Sequence, residues 1–134
     1  MPTKSNLWDC NKAKTLVIYD SSTANESYLT RIPKSVEVEK VSSDNPELIA
    51  KILAKRGCNN FLWECGTRLA NAAIKSNCIQ QIINFISPKI LGGENSMNPL
   101  GDFEFGEMDE IIKLNESQIS LIGNDICVKS LFKN

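Results

Sequence analysis

Histidine is absent from this sequence of 134 residues. Without an imidazole to take the proton, nucleophilic triads of the Ser-His-Asp and Cys-His kinds are excluded. The usual zinc ligand set goes with it, and so does the signature of the zinc-dependent nucleobase deaminases. Any chemistry has to rest on carboxylates, lysines, backbone groups or a bound cofactor. Cysteine occurs five times, at Cys10, Cys58, Cys65, Cys78 and Cys127, an odd number with no CxxC pair. That pattern argues against a disulfide framework and for a reducing, cytoplasmic setting. The N-x-S sequons at Asn25 and Asn115 then carry no meaning. No uninterrupted apolar stretch approaches the ~20 residues of a membrane helix. The opening MPTKSNLWDCNK lacks the apolar region of a secretory signal. There is no basic block either: 15 basic residues stand against 16 acidic ones, for a net charge of −1. Neither nucleic acid nor a membrane is an expected partner.

What is present is ordinary for a soluble globular protein: 42% hydrophobic and 23% charged residues. The length suits a single domain over 1–134 with a real but modest core. TLVIYDSS (15–22) reads as a buried strand ending in turn residues, and NESYLTRIP (25–33) as one or two helical turns stopped by Pro33. SVEVEKVS (35–42) has the alternation of a half-buried or edge strand. DNPELIAKILAKRGCNN (44–60) is the clearest helix. Asn45 is placed to cap it, Pro46 suits its first position, and Glu47 favours its positive end. Leu48, Ile49, Ile52 and Leu53 form its apolar face, and Gly57 follows as a stop.

NFLWE (60–64) is expected as a buried strand, TRLANAAIKSN (67–77) as a helix with Leu69, Ala70, Ala73 and Ile74 inward, and IQQIINFISPKIL (79–91) as a strand broken by Gly92 and Gly93. ENSMNPLGDFEFGEMD (94–109) lacks periodicity and reads as a long loop. Residues 110–134 read as two strands joined by a turn at Gly123-Asn124-Asp125. Strands separated by helices imply parallel neighbours with right-handed crossovers, and the last pair adds an antiparallel hairpin. The expected fold is α/β, a layered mixed sheet with helical crossovers.

Ligands of open α/β sheets gather beyond the carboxyl ends of the strands. FLWECGTRLA (61–70) places Glu64 at such an end and Gly66 at the opening of the next helix, whose N–H groups attract phosphate. Glycine lets a phosphate approach the backbone closely, Thr67 adds a hydroxyl, and Arg68 adds a positive charge. The same pattern is equally what an ordinary strand-to-helix turn shows, with Glu64 capping the helix or pairing with a lysine. Asp20-Ser21-Ser22 reads as a turn, Lys89 as an exposed stem, and Glu104, Glu107, Asp109 and Glu110 as a solvated acidic loop without cation-ligand spacing. Cys65 is either a reactive thiol at a helix N-terminus or a small packing residue, and Trp8 and Trp63 read as core.

Glu64-Cys65-Gly66-Thr67, then Leu69-Ala70, then Pro88-Lys89-Ile90-Leu91-Gly92-Gly93 follow one another at a spacing that resembles the reductase domain of the bifunctional riboflavin-biosynthesis deaminase–reductase family. LWD at 7–9, TLVIYD at 15–20 and ICVKSLF at 126–132 resemble its flanking parts. The resemblance implies a dihydrofolate-reductase-like fold and NADPH as hydride donor. It implies as substrate a phosphorylated pyrimidine, 5-amino-6-(5-phosphoribosylamino)uracil, whose ribosyl group is reduced to ribityl. By position, Glu64 would contact substrate, while Gly66, Thr67, Arg68, Leu69 and Ala70 would lie along the cofactor phosphates. No metal is implied, and no residue is singled out as general acid or base. Cys65 stands where the family has a second glycine or alanine, and Arg68 where it has an apolar or small residue.

The resemblance spans only the second half of the family's reductase domain. The expectation is therefore a fragment or truncated homologue, self-associating as a homo-oligomer (dimer) through exposed edges, and with little turnover by itself. The alternative is a non-catalytic nucleotide-binding or assembly module that kept the fold and lost the active site.

Overall fold

The structure is a computed structural model that describes residues 4–90, 92–93 and 98–133. Leu91, within the segment 88–93, and residues 94–97 of the expected loop lie outside the described residues. The chain divides into two compact units, Met1–Gly57 and Cys58–Asn134.

In the first unit, β1 (Leu16–Asp20) and β2 (Glu37–Val41) pair in parallel, Leu16 opposite Glu37 and Asp20 opposite Val41. The β-branched and aromatic side chains of LVIYD favour the pleated form. A parallel pair needs a crossover, and α1 (Glu26–Leu29) lies within it. The helix expected at 44–60 is α2 (Pro46–Lys55). Asn45 caps it through its side-chain oxygen, which accepts from the Glu47 N–H at 2.9 Å, and Pro46 occupies the first turn. At the other end Arg56 reaches β2. Its Nη1 donates to Glu37 Oε1 at 2.7 Å, and its Nε and Nη2 both donate to Glu39 Oε2, at 3.1 and 2.5 Å. Residues 37, 39 and 41 share one strand face, so the two carboxylates present a double acceptor to one guanidinium. This tie keeps Glu39 half-buried, and it raises the Arg56 pKa through the bonds to Glu37 and then Glu39. Val41, on the same face as the two carboxylates, is buried; on the opposite face Val36 is buried and Val38 is exposed.

The second unit holds α3 (Thr67–Lys75), β3 (Gln81–Ile86), β4 (Leu114–Ile122) and β5 (Asp125–Phe132). The three strands form an antiparallel sheet in the order β3-β5-β4. Ile82 faces Ser130 across one ladder and Ile119 faces Val128 across the other. The hairpin turns at Gly123-Asn124, where it was expected. A register shift between Asn115 and Gln118 marks a bulge, and there Glu116 takes a positive φ of 50°. Next to it the Ser117 and Ser130 hydroxyls lie 2.8 Å apart, which satisfies the buried Ser130. The inward stripe of α3 is as its spacing predicts: Leu69 and Ala70 half-buried, Ala73 and Ile74 buried.

The sheets differ from the expectation at two places: the strand expected over 79–91 is only Gln81–Ile86 and pairs antiparallel with β5, and the run 60–64 is no strand. The run 60–64 belongs to no strand, and its Leu62 is 78% exposed. Its composition suits a strand, but a strand exists only against a partner edge, and neither sheet among the described residues includes it. The mixed sheet is therefore present as a parallel pair and a separate antiparallel sheet.

Candidate functional site

The helix N-terminus at 64–70 forms as the sequence indicates. Gly66 is the N-cap of α3, with φ −75° and ψ 172°, and supplies no side-chain cap. The first i→i−4 bond runs from the Ala70 N–H to the Gly66 carbonyl at 3.0 Å. Ala70 thus spends its amide on the helix, while the amides of Thr67 and Leu69 come before that bond and have no intrahelical acceptor. A Cβ built at Gly66 meets nothing within 4 Å, and the backbone there is one that any residue adopts. Neither a close contact nor a left-handed backbone requires glycine at this position.

Glu64 is exposed, two residues before the cap. Arg68 is also exposed, whereas Leu69 and Ala70 turn toward the interior. The candidates therefore separate by role. Glu64, Thr67 and Arg68 can offer side chains to a ligand, Gly66 and Leu69 can offer backbone, and Ala70 helps build the floor. Cys65 is partly buried, and burial pushes its thiol pKa up. It is not among the positive-φ residues, so the departure from glycine or alanine causes no backbone strain. Burial therefore works against a reactive thiolate at this helix start.

The segment that packs over the first turn of α3 was not anticipated from the sequence. Asn71 points its Nδ2 at two carbonyls of the loop after β3, Leu100 O at 3.3 Å and Asp102 O at 2.9 Å. Between them Gly101 has φ +73°, and a Cβ there would sit 3.6 Å from the Thr67 carbonyl. Thr67, Asn98, Gly101 and Asp102 line a small recess beside the helix start. The Asp102 carboxylate itself accepts from the Glu104 N–H at 2.8 Å. Farther along α3, Lys75 lies 5.6 Å from the Phe103 ring centroid, and Phe103 stacks on Phe105. The one available signal was an amide side chain, Asn71, on the inner side of an alanine-rich helix.

A larger concavity of about 780 Å³ lies between the run 60–63 and β3, with Ala70 and Ile74 in its lining. The remaining candidates are local. Asp20 Oδ1 accepts from the Ser22 N–H and hydroxyl, each at 2.8 Å, so Asp20-Ser21-Ser22 is a turn, and these bonds lower the Asp20 pKa. Glu110 Oε2 accepts from the Gly106 N–H at 2.7 Å and from the Glu107 N–H at 3.3 Å. No group of acids and cysteines among the described residues is placed to hold a metal ion. Lys89 is exposed.

This geometry, an uncapped helix start behind an acid and under a strapped loop, sits in a chain whose residues 1–128 match the family model described as the RibD C-terminal domain. The chain belongs to the RibD C-terminal domain family. It is 32% identical over 133 residues to the chloroplastic riboflavin biosynthesis protein PYRR of Arabidopsis thaliana, covering 99% of this chain and 22% of that one. It is 34% identical over 126 residues to the riboflavin biosynthesis protein RibD of Synechocystis, covering 93% of this chain and 34% of that one. Among solved structures, a pyrimidine reductase-like protein from Corynebacterium diphtheriae superposes with a TM-score of 0.75 at 20% identity, over 100% of this chain and 57% of that one. Acinetobacter baumannii RibD superposes at 0.74 and 14% identity, over 99% and 35%. The fold is thus that of the RibD reductases, dihydrofolate-reductase-like, and the chain spans about a third or less of the length of these curated relatives. No helix among the described residues is long and apolar enough to cross a membrane.

Proposed function

We propose that this chain is the cofactor-binding part of an NADPH-dependent reductase of riboflavin biosynthesis, acting on 5-amino-6-(5-phosphoribosylamino)uracil and converting ribosyl to ribityl. The observation that carries the reading is the uncapped start of α3 at Gly66 in a chain of the RibD C-terminal domain family. The N–H groups and positive pole of a helix start suit a dinucleotide phosphate. The open space over Gly66 and the recess beside Thr67 leave room for one. In this reading Gly66, Thr67 and Leu69 offer main-chain or hydroxyl donors, Arg68 offers charge, Ala70 supports the floor, and Glu64 orients the pyrimidine substrate. When bound, the nicotinamide supplies the hydride. The chain's own residues bind and orient, and none is assigned as general acid or base. Turnover requires both substrates held in one geometry, so 1–134 by itself is expected to bind cofactor and turn over little. The free state of all five cysteines supports a cytosolic setting. The non-catalytic module finds no support in the named relatives.

Calorimetric titration of the chain with NADPH, with Gly66→Val as control, tests this. Binding by the native chain and its loss in the variant are the expected result. A Cβ at this position meets nothing within 4 Å, and a thermal unfolding scan of the variant, run beside the titration, separates loss of ligand binding from loss of the helix start. Equal binding by both proteins would remove the phosphate from this helix start, and no binding by the native chain would remove the cofactor from this part of the domain.

A further inference from the structure

The loop after β3 carries its own bracing. The Gly101 N–H donates to the Asn98 carbonyl at 3.3 Å, and the Leu100 N–H donates to Asn98 Oδ1 at 3.0 Å. The Glu104 N–H in turn donates to Asp102 Oδ1. These bonds run within the loop, so they fix its shape and not its place. Its place is set from α3. Asn71 stands one turn after Thr67 on the same helix face. Its side-chain nitrogen has two hydrogens and makes two bonds, to Leu100 O and Asp102 O, the carbonyls on either side of Gly101. Lys75 meets the next part of the loop through the Phe103 ring. Gly101 is thereby held against α3, where a Cβ would lie 3.6 Å from the Thr67 carbonyl. The recess beside the helix start has Thr67 on one side and Asn98, Gly101 and Asp102 on the other. One wall is helix. The other is loop, and it stands where the Asn71 amide puts it.

We propose that Asn71 is a positioning residue for the cofactor: it does not touch the ligand, but holds the loop wall 98–102 in place before the ligand arrives. This rests on the reading of the α3 start as the site of a dinucleotide phosphate. A ligand there meets the free amides of Thr67 and Leu69 from the helix and the recess wall from the loop. A wall already in place costs the ligand no loop ordering on binding, whereas a wall that has to be collected does. Alanine at 71 supplies neither hydrogen bond. The Leu100 and Asp102 carbonyls then turn to water, and the wall loses its fixed place. Asn71 is half-buried and has no side-chain donor left for a ligand, so its effect passes through the loop.

NADPH is titrated calorimetrically into the full chain, into Asn71→Ala and into Asn45→Ala, below the unfolding midpoint of each. Asn45→Ala removes the α2 cap in the other unit, so it lowers stability without altering any recess residue. The expected result is NADPH affinity about tenfold weaker in Asn71→Ala and native affinity in Asn45→Ala. Native affinity in Asn71→Ala overturns the proposal, because a merely structural amide lowers the midpoint and leaves affinity alone. Equal weakening in both variants overturns it too, since stability is then the cause. No binding by the native chain removes the cofactor reading itself and the proposal with it, so the two failures are distinct. If Asn71→Ala does not fold, hydrogen exchange on the native chain decides. NADPH should then slow the Leu100 and Gly101 amides about tenfold, and unchanged exchange there overturns the proposal.

Discussion

Gly101 and Asp20 show how single residues set local geometry here. Gly101 sits at φ +73° with its α-carbon close over the start of α3. A side chain there is strained by the left-handed backbone, while its Cβ makes only ordinary contact with the Thr67 carbonyl. Gly101→Val should destabilise the protein by about 1–3 kcal/mol, seen as a lower midpoint in thermal unfolding. Gly66, 35 positions earlier and also beside the helix start, has an ordinary φ and open space for a Cβ, so alanine there brings no left-handed strain. Asp20 is held as a carboxylate by the Ser22 N–H, then by the Ser22 hydroxyl, which lowers its pKa. The folded state thus favours the charged form. Its stabilisation is present above the ordinary carboxylate range and is lost as pH falls through the lowered value. Unfolding followed below about pH 4 should show native stability falling, with a shallower fall in Asp20→Asn.

At the scale of elements, α2 ends where its sequence says, whereas the close of α3 at Lys75, two residues short of the expected 77, was not read in advance. α2 begins on Asn45-Pro46 and stops before Gly57. α3 closes with Asn77 at φ +53°, the Asn77 N–H donating to Ile74 O and the Cys78 N–H to Ala73 O, each at 3.0 Å. That is the paired-bond C-terminal motif, with asparagine in place of glycine. Asn45→Ala should cost about 1 kcal/mol through loss of the cap. The docking of the loop at 98–103 depends instead on one long-range amide. Asn71→Ala strands the Leu100 and Asp102 carbonyls, and thermal unfolding should show a loss of about 1–3 kcal/mol. Faster proteolysis confined to that loop should accompany it.

The whole molecule shows what its sheet leaves uncovered. Across the second sheet, Ile86, Ile126 and Leu121 stand in register, with Ile119 beside them, and all four are exposed, Ile119 and Leu121 at 73% and 74%. Apolar side chains at that exposure on an edge strand favour association. We expect sedimentation velocity to show a concentration-dependent dimer, and Ile119→Lys with Leu121→Lys to shift it to monomer. A single monomeric species at all concentrations would count against this.

Most of the element boundaries were legible because they depend on residues within a turn of one another. The strand composition of 16–20 and 37–41, the cap and stop of α2, the opening of α3 at Gly66, and the hairpin at Gly123-Asn124 are all local matters of backbone preference and short-range hydrogen bonding. Glu64 and Gly66 were legible for the same reason, as the junction before a helix. The sequence by itself also determined the family, since the motif spacing at 64–70 and 88–93 is a linear property. Tertiary structure alone decided the rest. Whether 60–64 becomes a strand depends on an edge to pair with, and composition cannot supply one. That Arg56 grips Glu37 and Glu39, and that Asn71 and Gly101 bring a distant loop over α3, depends on contacts between residues 17 to 31 positions apart. Such contacts form only after the chain has closed the intervening loops, and no local pattern records them.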